Sequence, residues 1–323
     1  MPFLAADVGG THARIALVRE VAPERIEVLD QHTYACADFP GLDAIIGDFL
    51  ASRQARVDAA AIASTGVHRE EEVTSINLPW PISLPALRAL GIAHVAAVND
   101  FTAVAHAAQC MTADSGTPLV GDGALAAEGP MLLVGAGTGF GTAVLLRQAG
   151  RRSVLTSEAG QMALAPGTPR EMAVLAYMQR SATHVSVEQI VSGPGLLRTY
   201  RALCALDAVD AALESPAAVV EAARRCDNPQ AAEAVRMFCA VFGSLLGDLV
   251  VAFMATAVYV AGGVVPKLQD LVAASDFDSR FLDKGVMRQV LEQVPVRLLE
   301  DPRLGVIGAA NWYLHHAREN AQA

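Results

Sequence analysis

Lysine is almost absent from this chain. Of 323 residues only Lys267 and Lys284 are lysines, so a phosphate site anywhere before Lys267 must rely on backbone N–H groups, arginine or a metal ion. Positive charge is scarce altogether: 34 acidic residues against 24 basic ones give a formal net charge of −10. That balance repels nucleic acid and anionic membranes and argues against either as a partner. The five cysteines (Cys36, Cys110, Cys204, Cys226, Cys239) are odd in number, scattered and never spaced CxxC. This argues against a disulfide framework and a zinc site and points to a reducing compartment. The opening MPFLAADVGG has no basic segment before its apolar residues, so no secretory leader is read there and a cytoplasmic location is expected. Long unbroken apolar runs are missing too. The most apolar stretch, 234–260, is interrupted by Arg236, Gly243, Gly247 and Asp248 and reads as a buried helix and strand rather than a membrane span.

The length exceeds what one core usually serves, which favours two lobes and a ligand cleft. Apolar, β-compatible runs at 3–6 and 13–18 flank Asp7-Val8-Gly9-Gly10-Thr11-His12, the pattern of a hairpin with a glycine turn. The same arrangement recurs where 131–134 leads through Gly135-Ala136-Gly137-Thr138-Gly139-Phe140-Gly141 into 142–146, which suggests two similar lobes. Further strands are expected at 26–35, 59–63, 94–98 and 258–261. Helices are expected at 42–52 and 102–109, and beyond residue 134 at 170–178, 194–206, 216–225 and 231–256. The segment 112–129 reads as the lobe boundary, and a final helix from Gly305 is expected to return to the first lobe.

A lone glycine turn is weak evidence. In Asp7-Val8-Gly9-Gly10-Thr11, however, the glycines let backbone N–H groups approach phosphate oxygens, a hydroxyl ends the turn, and the acid could hold Mg²⁺ through water. The turn at 135–141 is not a dinucleotide fingerprint, because Phe140 stands where the third glycine belongs and 142–146 is strand-like. No GxxxxGK[ST] occurs, so what remains is a phosphate-cradling hairpin with Thr138 as hydroxyl donor. In Asn99-Asp100-Phe101-Thr102, Asp100 reads either as a helix N-cap or as a carboxylate at a strand's carboxyl end that takes a proton from a substrate hydroxyl while Asn99 binds another. Asn77-Leu78-Pro79-Trp80, Glu158, Gln161 and Glu188 are separately unremarked polar positions. Together they offer the amides and carboxylates that recognise a polyol. His12, His94, His106 and His184 show no metal-ligand spacing.

These features in this order resemble the bacterial glucokinase family of the hexokinase and actin-like ATPase superfamily. The resemblance rests on DVGGTHAR from Asp7, INLPW from Ile76, VNDFTAVA from Val98, GAGTGFG from Gly135, HVSVEQIVSGPGL from His184, AGGVVPKL from Ala261 and LGVIGAA from Leu304. It implies an α/β, two-lobed actin-like/hexokinase-like ATPase fold of duplicated ribonuclease H-like domains with an interlobe cleft. The small domain would comprise residues 1–110 with 303–323, and the large one 111–302. It implies ATP and Mg²⁺, a sugar substrate and a homodimer. Asp7, Gly9, Gly10 and Thr11 would bind phosphate, with Asp7 reaching the metal through water. Gly137 and Thr138 would form the second phosphate loop, Ser192 and Gly193 would lie near the nucleotide, and Gly262 and Gly263 would approach the adenosine. Asn77, Asn99, Asp100, Glu158, Gln161 and Glu188 would line the sugar, with Asp100 as catalytic base. One departure stands out. The family's loop Gly-Glu-Gly-Gly-His is Ser157-Glu158-Ala159-Gly160-Gln161 here, which restricts a backbone that glycine leaves free and replaces an ionisable ring by an amide. Glucose, another hexose (mannose, fructose or an amino sugar) and a weakened sensing role therefore all remain open.

Overall fold

The computed structural model describes every residue except 76, 77, 110, 112–114, 122–125, 127, 150 and 323, with backbone alone at 319–322. The chain divides into two compact units, Met1–Thr112 with Asp301–Ala323, and Ala113–Glu300.

The first unit opens with an antiparallel meander of β1 (Phe3–Val8), β2 (His12–Ala22) and β3 (Arg25–Ala35). Helix α1 (Leu42–Ser52) leads to β4 (Ala59–Ser64), parallel to β1. Three short strands, β5 (Val67–His68), β6 (Glu72–Thr74) and β7 (Ile82–Ser83), form a separate sheet before α2 (Leu84–Arg88). Strand β8 (His94–Asn99) then pairs parallel with β4 and runs into α3 (Asp100–Ala108). The sheet order is β3-β2-β1-β4-β8. Strand β1 is apolar on both faces because both are covered. Leu4, Ala6 and Val8 pack with Ile45, Ile46 and Phe49 of α1, whereas Phe3 and Ala5 pack against Val306 and Ala310.

The second unit repeats the plan. Strand β9 (Thr117–Val120) precedes a meander of β10 (Gly129–Ala136), β11 (Phe140–Gln148) and β12 (Arg151–Ser157). Four helices follow, α4 (Pro169–Met178), α5 (Gly193–Leu206), α6 (Pro216–Arg225) and α7 (Pro229–Phe253). Each is opened by a side-chain cap, from Thr168, Ser192, Ser215 and Asn228 in turn, and each has proline in its first turn, where a missing N–H costs nothing. Strand β13 (Ala257–Ala261), helices α8 (Gln269–Ala273), α9 (Phe277–Leu282) and α10 (Arg288–Leu291), and β14 (Val296–Leu298) complete the unit. Its sheet runs β12-β11-β10-β13-β14-β9. In both sheets, therefore, an antiparallel meander meets parallel strands on its first member. The last helix, α11 (Leu304–Gln322), belongs to the first unit.

The apolar stretch 234–260 is most of α7 together with β13. Fifteen residues of α7 are buried, and its glycines face α9: a Cβ at Gly243 or Gly247 would strike the carbonyls of Phe277 or Phe281. The small residues that break the apolar run are thus a packing ridge. Strands β5, β6, β7, β9, β12 and β14 are not among those expected: all but β12 have only two to four residues, and β12 is an edge strand exposed along most of its length, so none presents an apolar alternation long enough to read. Helix α3 begins two residues earlier than expected, because Asn99 rather than Asp100 is its N-cap.

Candidate functional site

In the first unit the expected residues gather at the carboxyl end of one sheet. The register sets Val8, Ser64 and Asn99 side by side on β1, β4 and β8, and two strand spacings put the β1 and β8 ends about 10 Å apart. That is where open α/β sheets place ligands. Asp7, one residue before the end of β1, faces Arg14 across the hairpin and accepts Arg14 Nη1 at 3.1 Å. Burial raises the Asp7 carboxyl above its ordinary range, and the Arg14 charge offsets part of that rise. The first turn of α11 closes on the same side chain: a Cβ at Gly305 would lie 2.7 Å from Asp7 Oδ2. An acid at a helix N-terminus is electrostatically favoured.

The Gly9 N–H donates to the His12 carbonyl at 3.0 Å, leaving Gly10 and Thr11 as the tip of the turn. Cys36 holds that tip from below. Its N–H donates to Thr11 O at 2.9 Å and its Sγ to Gly9 O at 3.4 Å. The buried Trp80 indole N–H in turn donates to the Cys36 and Phe39 carbonyls, at 3.2 and 3.0 Å. Asn77, on the same segment as Trp80, lies outside the described residues. At the end of β8, Asn99 Oδ1 accepts the N–H groups of Phe101 and Thr102 at 3.0 and 3.1 Å. That oxygen is committed to capping α3, so only the Asn99 NH₂ is left as a donor to a ligand. The cap makes half-buried Asp100 the first residue of α3, where its Oδ1 accepts Phe101 N at 2.9 Å.

In the second unit the residues expected on the nucleotide side converge at the ends of β10 and β13. Gly137-Thr138-Gly139 forms a three-residue loop closed by Gly137 N to Gly139 O at 2.8 Å. Gly193 N, in the first turn of α5, donates to Gly137 O at 2.8 Å, and Ser192 Oγ caps α5 by accepting Gly195 N at 2.9 Å. Gly262 has φ +89°, a left-handed conformation that needs glycine, and Val264 N reaches Ala136 O at 3.1 Å. A Cβ at Gly137 or Gly263 would meet nothing within 4 Å, so both face open space.

The residues expected to line the sugar in this unit lie on two segments that meet Phe140, through Gly160 and through Glu188. Glu158 and Gln161 are exposed at the two ends of a 3-10 turn, Ala159–Gln161, and Gly160 is pressed against the Phe140 carbonyl, 2.6 Å from where its Cβ would sit. His184 Nε2 donates to Gln161 O at 2.8 Å. Half-buried Glu188 is not free to serve a sugar with both oxygens, because its Oε2 accepts Phe140 N at 2.8 Å. The structure adds residues that sequence reasoning passed over: Arg14, Cys36 and Gly305 around the first turn, and Gly139 with Phe140 around the second. Arg14 was legible, since a short turn makes it the partner of Asp7. Cys36 carried no signal. Among the described residues no group of three or more His, Cys, Asp or Glu could hold a metal ion.

The glucokinase family model matches residues 4–316. A glucokinase-like protein of Xylella fastidiosa (strain 9a5c) is 46% identical over 319 residues, covering 97% of this chain and 95% of that protein. The glucokinase of Chromobacterium violaceum is 37% identical over 318 residues, covering 98% and 90%. A crystal structure of glucokinase from an Antarctic psychrotroph superposes with TM-score 0.84 at 32% identity, covering 98% of this chain and 99% of that one, and the fold is that of the actin-like ATPases. The chain belongs to the glucokinase family and is an ATP-dependent sugar kinase.

Proposed function

We propose that the enzyme transfers the γ-phosphoryl group of ATP to glucose, giving glucose 6-phosphate, with Asp100 as general base. The observation that carries this reading is the Asn99 cap, which holds the Asp100 carboxylate at the carboxyl end of a parallel strand. As the sugar oxygen bonds to phosphorus and the bond from phosphorus to the β-phosphate oxygen breaks, Asp100 takes the hydroxyl proton and ADP leaves. The backbone amides of Gly10, Thr11 and Thr138 would cradle the phosphates, while Gly9, Gly137 and Gly193, whose N–H groups hold His12, Gly139 and Gly137, would shape the two turns, with Ser192, Gly262 and Gly263 against the rest of the nucleotide. Such amides suit a chain with so little lysine. Asp7, a single carboxylate beside a phosphate turn, fits a Mg²⁺ held mainly by water and nucleotide oxygens, and that ion would supply charge neutralisation. Asn77, Asn99, Glu158, Gln161 and Glu188 would bind sugar hydroxyls. The same reading carries a cytoplasmic homodimer acting on small molecules, with no nucleic-acid or membrane partner.

The substituted loop weighs less against glucose than its sequence suggests. Ser157 ends β12 in an extended pairing with Thr142, and neither Ser157 nor Ala159 has positive φ, so losing those two glycines imposes no backbone strain. The glycine that packing requires, Gly160, is retained. The remaining change, glutamine for histidine, supports a second reading in which another hexose is preferred.

ADP release with Mg²⁺-ATP should depend on glucose, and Asp100→Ala should lower kcat by about 10²–10⁴-fold with ATP binding little changed. Wild-type turnover in that variant would remove Asp100 from its role. A panel of glucose, mannose, fructose and glucosamine decides between the two readings.

A further inference from the structure

We infer that Glu188 is a positioning residue through which sugar and nucleotide tighten each other's binding inside the second unit; the inference rests on the sugar-kinase reading above. Its carboxylate has two oxygens with different surroundings. Oε2 accepts the Phe140 N–H at 2.8 Å and stands 2.6 Å from where a Cβ on Gly139 would be. Phe140 is the first residue of β11 and directly follows the Gly137-Thr138-Gly139 loop, so this charge-assisted bond pins one end of the phosphate turn. The other end is pinned through the same residue's main chain. The Glu188 carbonyl accepts Ser192 Oγ at 2.8 Å, Ser192 caps α5, and Gly193 N at the start of α5 holds Gly137 O.

On its opposite flank the Glu188 segment is stitched to the loop that carries Glu158 and Gln161. Val187 N donates to Met162 O at 2.9 Å, Ala163 and Ser186 form a β-bridge, and His184 holds the Gln161 carbonyl. Glu188 therefore sits between the sugar loop and the phosphate turn, bonded directly to one end of the turn and tied to the other through Ser192 and Gly193. A sugar hydroxyl that engages Oε1 orders the carboxylate. The ordered carboxylate orders the Phe140 amide, and a nucleotide then meets a turn already set. Coupling between two such sites is commonly about 5–150-fold in affinity and must be equal in both directions.

Gly139→Ala is the discriminating variant. Gly139 lies outside the left-handed region, so alanine suits the backbone. The new methyl displaces the flexible end of Glu188 while every acid and every turn amide remains in the chain. Calorimetry gives the Kd of AMP-PNP with and without saturating glucose, and the Kd of glucose with and without saturating AMP-PNP. The expected wild-type ratio is about 5–150 and the same in both titrations, falling to near one in Gly139→Ala. A purely structural defect would weaken both ligands and leave the ratio unchanged, and that result overturns the inference, as does a wild-type ratio of one. Wild-type protein that binds neither ligand would sink the sugar-kinase reading itself, and this inference with it. Should Gly139→Ala fail to fold, hydrogen exchange in the wild type decides. Glucose alone should slow exchange of the Phe140 amide several-fold, and an unchanged rate refutes the coupling.

Discussion

Two glycines three residues apart in α11 should respond to alanine in opposite ways. A Cβ at Gly305 would stand 2.7 Å from Asp7 Oδ2 and 2.8 Å from Asp7 Cβ, whereas one at Gly308 would run into the Ala103 carbonyl. Ordinary contact needs about 3.5 Å or more, so Gly305→Ala asks the Asp7 side chain to retreat by about 1 Å. Asp7 is a short side chain tied to Arg14, and a local overpacking of this kind costs about 1–3 kcal/mol. Alanine returns up to about 1 kcal/mol of helix propensity, which leaves a net loss of about 0–2 kcal/mol. The catalytic effect should be larger, because Asp7 is proposed to help position the phosphates and a displacement near 1 Å at such a group costs on the order of 10²-fold in rate. Gly308→Ala presses on backbone, which cannot swing aside, and should lower the denaturation midpoint while preserving kcat per folded molecule. The assays are ADP release under saturating glucose with Mg²⁺-ATP varied, and urea unfolding of both variants. Full kcat in Gly305→Ala would refute the claim that α11 sets the position of Asp7.

Stability should also depend on acidity through His106, which burial, then the charges of His315 and His316, depress to about 4. With the folded value below the ordinary 6.5, the neutral ring's contribution is fully present above about pH 6.5 and is lost as pH falls from there toward 4. Urea unfolding should register a loss on the order of 2 kcal/mol between pH 7 and pH 5, and His106→Gln should remove that dependence. Glu171 is buried and receives Arg280 at 2.7 and 3.2 Å and Gly167 N at 2.6 Å. Glu171→Ala should cost about 3–5 kcal/mol by stranding the Arg280 charge. An unfolding midpoint equal to wild type would contradict that assignment.

Much of the site could be read from short segments because its parts are local. A glycine turn between two apolar runs, or an Asn-Asp at the end of a strand, specifies its own backbone and the chemistry it presents. Both hairpins, α1, α6 and the strand preceding Asp100 therefore lie where residue pattern places them. Legibility failed where an element's stability comes from its neighbours. Strands β9 and β14 are held by pairing in a six-stranded sheet, and β12 is an exposed edge with no apolar stripe.

What the sequence determined by itself was the family, through motifs in order, and the inventory of acids, amides and glycines: a chain nearly without lysine leaves a phosphate site before Lys267 to backbone N–H groups, arginine or a metal ion. Tertiary structure alone decided how those groups are shared. It set Gly305 against Asp7 and bound one oxygen of Glu188 to the Phe140 amide. The reason is physical. A hydrogen bond between residues 48 positions apart depends on three-dimensional proximity that no local residue pattern encodes.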